Sequence, residues 1–536
     1  MARTPLLRAL RHLAREHEAA GQLGVTPAEL RRRRTAGPSR RDFLKSAAAL
    51  GVLAPAFRNL PAVAAQPNIA IIGAGISGLT AALTLHDKGL GSTIYEASPR
   101  IGGRMHSDGG PGGYWNQQQI SECCGELIDS GHTTVLGLAS RFNLAVDDLL
   151  AAEPAGSTET YWFFGGRYPA EQADLDFAPV REAAKKDLTA AGYPTLWNRY
   201  KAAGWALDHL SIYDWIATRV PDGHNSRFGR LLDTAYTIEY GAATKDQSSL
   251  NLVYLLAYQP LPKDFAVFGV SDERYHIQGG NQQLPEAIAA ELQFPVRLGW
   301  RLTTITQADG VVTLRFQTPS GPKDVVADRV ILTLPFAVLR TLDYRKAGFD
   351  GLKQTAITEL GAGRNAKLQL QFKTRHWNQT GSNGSSYADL GYQNSWEVSR
   401  AQNGTAGILV NYTGGATAGA FAPSSPYAHA DTDPKVATYA KAFLGQLETV
   451  FPGISAQWNG RATLSTPFRD PNLLCSYSYW KVGQYTAFGG YEGVPQGAIH
   501  FAGEHCSQDF QGFMEGGASE GIRAALEVAH AVAGSH

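Results

Sequence analysis

The sequence is poor in sulfur and carries no net charge. Its 536 residues include four cysteines: Cys123, Cys124, Cys475 and Cys506. So few cannot staple a chain of this size, and no second pair stands at a zinc-like spacing from Cys123–Cys124. Disulfide scaffolds and metal sites are therefore not expected, and all four are read as packing residues. Lysine plus arginine number 48, as do aspartate plus glutamate. That balance removes the long-range field by which nucleic-acid binders and anionic-membrane binders gather their partners. The apolar run Ala47 to Phe57 is too short to cross a bilayer, so no stable membrane span is expected. What remains is a globular composition, 43% hydrophobic and 18% charged. Its length exceeds what one core supports, so two or more domains are expected.

Residues 1–38 are rich in Ala, Leu and Arg and end in Arg31–Arg34, a basic n-region rather than a nucleic-acid patch. Next come Ser39-Arg40-Arg41-Asp42-Phe43-Leu44-Lys45, the run Ala47 to Phe57, and the small residues Ala62-Val63-Ala64. This order resembles a twin-arginine export signal. The resemblance implies that residues 1–66 are a signal region, and that the folded protein is exported to the periplasm or secreted.

The chain is organised around Asn68 to Glu96. Asn68 to Ile72 is an apolar, β-branched run, the pattern of a parallel strand buried on both faces. It leads into Gly73-Ala74-Gly75-Ile76-Ser77-Gly78 and an alanine-rich helix, Leu79 to Leu90. In such a unit Gly73 permits the tight turn, Gly75 lets backbone approach a pyrophosphate, and Gly78 lets helix and strand pack closely. The helix start, at Ile76 and Ser77, offers amides and a positive dipole end to phosphate. A second strand, Ser92 to Tyr95, ends at Glu96, 18 residues after Gly78 and placed to take ribose hydroxyls. A lone glycine motif is weak evidence; strand, glycines, helix, second strand and terminal acid together are strong.

The residues from Glu96 onward distinguish the cofactor. Glu96-Ala97, then Arg100-Ile101-Gly102-Gly103-Arg104, resembles the fingerprint of the flavin-containing amine oxidase family. Further segments resemble that family: Gly279-Gly280 to Leu284-Pro285; Asp328 to Pro335; Gly361 to Phe372; Tyr477 to Tyr485; and Ile499 to His505 with Gln511 to Ala518. The likeness extends from about Asn68 to Val532. It implies an α/β fold: a Rossmann-like, glutathione-reductase-type FAD-binding domain, a discontinuous α+β substrate domain and a helical insert. The expected division is 1–66 signal region; 67–145, 269–335 and 461–536 FAD-binding domain; 146–268 helical substrate or lid region; and 336–460 substrate-domain sheet. Within 269–335, Val296 and the strand Val311 to Phe316 are read as a β-meander.

The resemblance also assigns roles. FAD is held by Gly73, Gly75, Ile76, Ser77, Gly78, Glu96, Ala97, Arg100, Gly102, Gly103 and Arg104, then by Gly125, Glu126, Trp480, Gly503, Glu504, Gly512, Phe513 and Met514. Gln484 is read at the place where monoamine oxidases carry their flavin-linking cysteine, so FAD is expected to be non-covalent. Lys367 lies in the alternating strand Lys-Leu-Gln-Leu-Gln-Phe, sharing a face with Gln369 and Gln371. The family places there a lysine that holds a water at flavin N5; partly desolvated, it would exchange protons near neutrality. Tyr485 and Phe513 are assigned to the aromatic wall over the flavin. The helix after Gly512 would direct its amides at flavin N1 and O2.

Trp396, Glu397 and Tyr412 are candidates for substrate contact, with Glu397 able to pair with a cationic end. The venom-type L-amino acid oxidases clamp the substrate carboxylate with an arginine near Gly125, but this chain has none between Gly125 and His132. His132 is read as a capping or packing residue.

The activity implied is an L-amino acid oxidase acting on CH–NH2, the substrate being a basic amino acid such as arginine or lysine. O2 and water are consumed and the 2-oxo acid, ammonia and H2O2 released. Such bacterial oxidases with twin-arginine signals are the nearest in look. A mono- or polyamine oxidase is the alternative kept open by the missing arginine, and a carotenoid-type desaturase or isomerase or a non-catalytic FAD protein stands behind it. The expected partners are a small amine or amino acid and O2, in a homodimer, with no nucleic acid and no metal.

Overall fold

The computed structural model describes residues 67–259, 265–292 and 296–533. The twin-arginine segment and its cleavage site lie outside the described residues.

A five-stranded sheet carries the nucleotide-binding pattern. Its order is Ile499–Phe501, Arg329–Leu332, Ile69–Ile72, Thr93–Glu96, Val296–Leu298, and every neighbouring pair is parallel. All four residues of Ile69–Ile72 are buried, as a strand flanked by others and covered on both faces requires. The helix Ile76–Asp87 packs against the C-terminal helix Met514–Ala533. Their approach is close because glycine replaces a side chain at the crossing: a Cβ on Gly521 would stand 2.2 Å from the carbonyl oxygen of Ser77. Val296–Leu298 belongs to this sheet as its edge strand. The expected pairing of Val296 with the β-meander is therefore corrected; the meander consists of Arg301–Ala308, Val311–Thr318 and Gly321–Ala327, with Asp343–Lys346 along one edge. Three residues are too few to carry a periodicity that would tell the two sheets apart.

The sheet expected to form the substrate domain is eight-stranded and mixed, with Asn365–Phe372 near its centre, between Gly407–Gly414 and Trp458–Ser465. Leu368, Leu370 and Phe372 face the amphipathic helix Pro434–Val450, and with Phe443 and Leu447 they form a core of side chains almost fully withdrawn from water. Burial of each such side chain stabilises the domain by roughly 1.5–3 kcal/mol. The opposite face carries Lys367, Gln369 and Gln371, also buried. The region 146–268 is largely helical, with Arg227–Tyr240 and Ser249–Leu256 deep in an apolar core. It also contributes the hairpin Thr158–Phe163 and Gly166–Tyr168 to the edge of the substrate sheet, which its helical patterns did not reveal. Among the described residues no helix is long and apolar enough to cross a membrane, and no cluster of side chains is arranged to hold a metal.

Candidate active site

A cavity of about 510 Å³ runs from the glycine turn of the nucleotide sheet to the inner face of the substrate sheet. Gly73 has φ +108°, and a Cβ there would stand 2.5 Å from Thr333 Oγ1. A Cβ on Gly78 would stand 2.0 Å from the carbonyl oxygen of Gly73. Gly75 is different: its φ is −74°, open to any residue, and a Cβ on it would meet no protein atom within 4 Å. The space above Gly75 is the cavity itself. Next to it the Ser77 hydroxyl is buried without a hydrogen-bond partner, at the start of a helix whose amide dipoles converge there. A glycine over which a Cβ would meet no protein atom and an orphaned hydroxyl at a helix N-terminus fit a pyrophosphate. Glu96 and Ala97 line the same cavity, and the Glu96 carboxylate accepts from the amides of Ala74 at 2.7 Å and Ser98 at 2.8 Å. The residues present therefore fit FAD.

Arg100 and Arg104 flank the diglycine turn, where Gly102 and Gly103 have φ +94° and +56°. Arg100 donates to the carbonyl oxygens of Ile101 and Gly103. Arg104 Nη1 donates to the carbonyl oxygen of Ser476 and to Glu504 Oε1, both at 3.0 Å. Glu504 also accepts from the amide of Ser478 (3.1 Å), the hydroxyl of Ser478 (2.8 Å) and the amide of Gly512 (2.9 Å). Burial alone would raise the Glu504 pKa, but Arg104, His505 and the Ser478 hydroxyl together hold it below the ordinary range. With its oxygens committed to protein donors, Glu504 ties the diglycine arginine to the turn that opens the last helix.

At the other end Lys367 enters from its strand and forms an ion pair with Glu126, Nζ to Oε2 being 2.5 Å. Glu126 Oε1 accepts from Trp396 Nε1 at 2.8 Å. Trp396 stands edge-on to Tyr412, whose hydroxyl is 2.9 Å from that of Tyr477. Burial pushes the Tyr412 and Tyr477 phenols up, foremost among several causes. Gly125, Phe513 and Met514 close the same wall, together with Glu239, Tyr240 and Glu273. The Glu273 carboxyl is pushed above the carboxylate range, first by the protein crowded around it and then by Asp129, Glu239, Glu159 and Glu126, although the residue itself is solvent-exposed.

The cavity thus brings together Gly73, Gly75, Ile76, Ser77, Glu96, Ala97, Arg100, Gly102, Gly103, Arg104, Gly125, Glu126, Lys367, Trp396, Tyr412, Gly503, Glu504, Gly512, Phe513 and Met514. Gly78 acts from one turn behind. Three assignments are corrected. Trp480 and Tyr485 do not line the cavity. The chain turns at Gly483 (φ +82°) into a short helix, Gln484–Phe488, that packs outward against Ala202–Asp208. There Tyr485 donates to Asn251 Oδ1 at 2.9 Å and stacks near Trp480. Gln484 leaves with them, its amide donating to the carbonyl oxygen of Glu359; the cavity-lining residues of this segment are Ser476, Tyr477 and Ser478. Glu397 alternates to the far side of its strand from Trp396 and is spent on Arg375 (2.6 Å) and Trp377 (2.9 Å). Tyr477, Glu239 and Glu273 were not singled out, because helix and loop patterns do not distinguish a cavity-facing residue from a packed one. His132 packs against Phe513, ring centroids 5.2 Å apart, consistent with a supporting place.

Comparison with known proteins agrees with this geometry. The chain is 23% identical to an L-amino-acid oxidase of Siganus canaliculatus, covering 88% of this chain and 86% of that protein. It is also 23% identical to the L-amino-acid oxidase of Vipera ammodytes ammodytes, covering 86% and 92%. The fold superposes on putrescine oxidase bound to putrescine with a TM-score of 0.72 at 19% identity, covering 87% of this chain and 99% of that one. The model of the flavin containing amine oxidoreductases matches residues 76–529, and the chain belongs to that family.

Proposed function

We propose that this protein is an FAD-dependent oxidase of small amines bearing a second positive charge, with basic L-amino acids as the first candidates. The observation that carries this reading is the pair Glu239 and Glu273. They enter the cavity wall from separate elements, the end of helix Arg227–Tyr240 and the loop before Tyr275–Ile277. Two acidic side chains brought into one walled space favour a cationic guest over a neutral one. The amino-acid preference is supported by relatives that match along almost their whole length and are L-amino-acid oxidases.

FAD, when bound, would supply a two-electron acceptor, with O2 as the final oxidant. The chain's own residues bind and orient. Phe513, Tyr477 and Tyr412 confine the reacting amine between aromatic faces, and Glu239 and Glu273 draw its distal cation. Lys367 and Glu126 present a charged, hydrogen-bonding wall. Overall, the amine loses two electrons and two protons to become an imine, O2 takes these up as H2O2, and water hydrolyses the imine to an oxo product and ammonia. FAD is held without a covalent link, and serines at 476 and 478 flank the aromatic Tyr477 where the wall meets the cofactor. Export by the twin-arginine route completes the reading, and replacing Arg40 and Arg41 with lysines should leave the folded protein in the cytoplasm.

A second reading, a diamine or polyamine oxidase, has its own observation. Among the described residues Arg100, Arg104 and Arg301 are the arginines that line the cavity, and all three lie toward its nucleotide end. The lysine of the substrate wall is already paired with Glu126. The test is anaerobic bleaching of the flavin by L-lysine, L-arginine, their decarboxylated counterparts and neutral L-norleucine. Faster bleaching by the dicationic compounds, lost in Glu273→Gln, is expected. Norleucine reacting as well as lysine would overturn the dicationic reading, and the amino acid–amine comparison decides between its two forms.

A further inference from the structure

Lys367 is part of a built charge pair. Its Nζ lies 2.5 Å from Glu126 Oε2 and 3.4 Å from the carbonyl oxygen of Glu122, 5.5 Å from the Trp396 ring centroid. The two charged side chains are only 7% and 6% exposed. The segment that carries Glu126 is fixed from behind. Asn281 Nδ2 donates to the carbonyl oxygens of Gly125 (3.1 Å) and Glu126 (2.7 Å), and its backbone amide donates to Glu122 Oε1 at 2.8 Å. His276 Nε2 stands 2.9 Å from that same oxygen. Gln369, on the Lys367 face of the strand, donates to the Glu122 carbonyl oxygen at 2.9 Å. Both ends of the pair are therefore held in place by buried hydrogen bonds from their neighbours.

We infer that Glu126 is a positioning and charge-compensating residue: it fixes Lys367 as a hydrogen-bond donor in the cavity wall while cancelling the positive charge that the lysine would otherwise place beside the flavin. This inference rests on the cavity being the FAD and amine site. A single buried ammonium favours any negative charge formed near it, and a carboxylate bonded to it removes most of that field. The pair therefore keeps the donor without its electrostatic pull. The electron affinity of the flavin is set by the sum of the two charges rather than by the lysine.

The test needs no substrate. Glu126→Gln keeps the shape and one acceptor oxygen of the two that serve Lys367 and Trp396, and leaves a net positive charge. Lys367→Met leaves a net negative one, and the double variant leaves none. In the FAD-loaded protein, sulfite titration and the flavin midpoint potential both report charge near the flavin. Glu126→Gln should bind sulfite about tenfold more tightly and raise the potential by about 30 mV, the equivalent of tenfold for a two-electron couple. Lys367→Met should move both in the opposite sense, and the double variant should return close to wild type. Glu126→Asp, which retains the charge, should stay near wild type even if Glu126→Gln fails to hold FAD. Shifts of the same sign in both single variants, or a Glu126→Asp potential displaced as far as that of Lys367→Met, would overturn the inference. If the opposed shifts appear but no amine bleaches the flavin, the charge pair stands and the substrate reading falls.

Discussion

Removing Arg104 and removing Glu504 should not cost the same, although they are two halves of one ion pair. The Nη1–Oε1 distance is 3.0 Å, but the Glu504 side chain is 6% exposed and that of Arg104 is 23% exposed, facing the cavity. Arg104→Met therefore strands a carboxylate that reaches the cavity with only a small part of its surface. Losing one partner of a buried pair costs about 3–5 kcal/mol. The two amides and the hydroxyl still donating to Glu504 place the expected loss near the lower figure, about 3 kcal/mol. Glu504→Gln strands a guanidinium that the cavity can hydrate, so about 1–2 kcal/mol is expected. The double variant should fall short of the sum of the two. The assay is urea unfolding of the FAD-free protein at pH 7, with FAD retention measured separately. The sign with pH is fixed by the depressed Glu504 pKa. Stability from this carboxylate is fully present above the unfolded glutamate pKa of about 4.3 and is lost as pH falls through the lower folded value. The gap between wild type and Arg104→Met should be level from pH 7 to about 5 and narrow in more acidic buffer. Equal losses in the two single variants, or a gap that widens in acid, would refute the reasoning.

Outcomes for five further variants follow from the same geometry. Gly75→Val should fold with stability within about 1 kcal/mol of wild type, because a side chain there meets only cavity, yet it should purify without flavin absorbance. Gly78→Ala, aimed at a carbonyl oxygen 2.0 Å away, should instead lower the melting temperature. Tyr477→Phe should slow anaerobic flavin reduction by up to about tenfold, the worth of one hydrogen bond, while Tyr485→Phe should lose about 1 kcal/mol of stability with no change in that rate. Glu397→Gln should destabilise the substrate sheet by about 1–3 kcal/mol through the weakened bonds to Arg375 and Trp377, leaving the ranking of substrates in the bleaching assay unaltered.

The division between what could be read from the residue order and what could not reflects the range of the interactions concerned. The glycine turn is local. Gly73, Gly75 and Gly78 are placed by strand, turn and helix within one short stretch, so their spacing carries the geometry, and the diglycine at 102–103 extends it. Lys367 was legible through the family resemblance; strand alternation only groups it with Gln369 and Gln371, and by itself suits an exposed lysine. That same alternation also places Glu397 on the opposite face from Trp396, which the proximity of the two in sequence concealed. The aromatic wall failed for a different reason. Tyr477, Tyr479, Trp480 and Tyr485 sit in one aromatic-rich segment; the cavity lining already ends at Ser478, and the left-handed turn at Gly483 carries Tyr485 into the outward helix.

The acidic end of the site is the part furthest from the sequence signal. Glu239 lies in the last turn of a helix whose buried face includes Ala235, Tyr236 and Ile238, and Glu273 in a loop. They are 34 residues apart, and each looks like a solvated surface carboxylate by itself. Their place in the proposed function comes from the helix and loop ending on one cavity, where the Glu239 charge raises the cost of ionising Glu273. That cost is the physical argument for a cationic guest. A bound second ammonium would offset it, so substrates with one should raise the thermal stability of the protein more than neutral analogues of equal size, and the advantage should shrink in Glu273→Gln. Equal stabilisation by lysine and norleucine in the wild-type protein would show that the carboxylates are already compensated from within, and that specificity is set elsewhere.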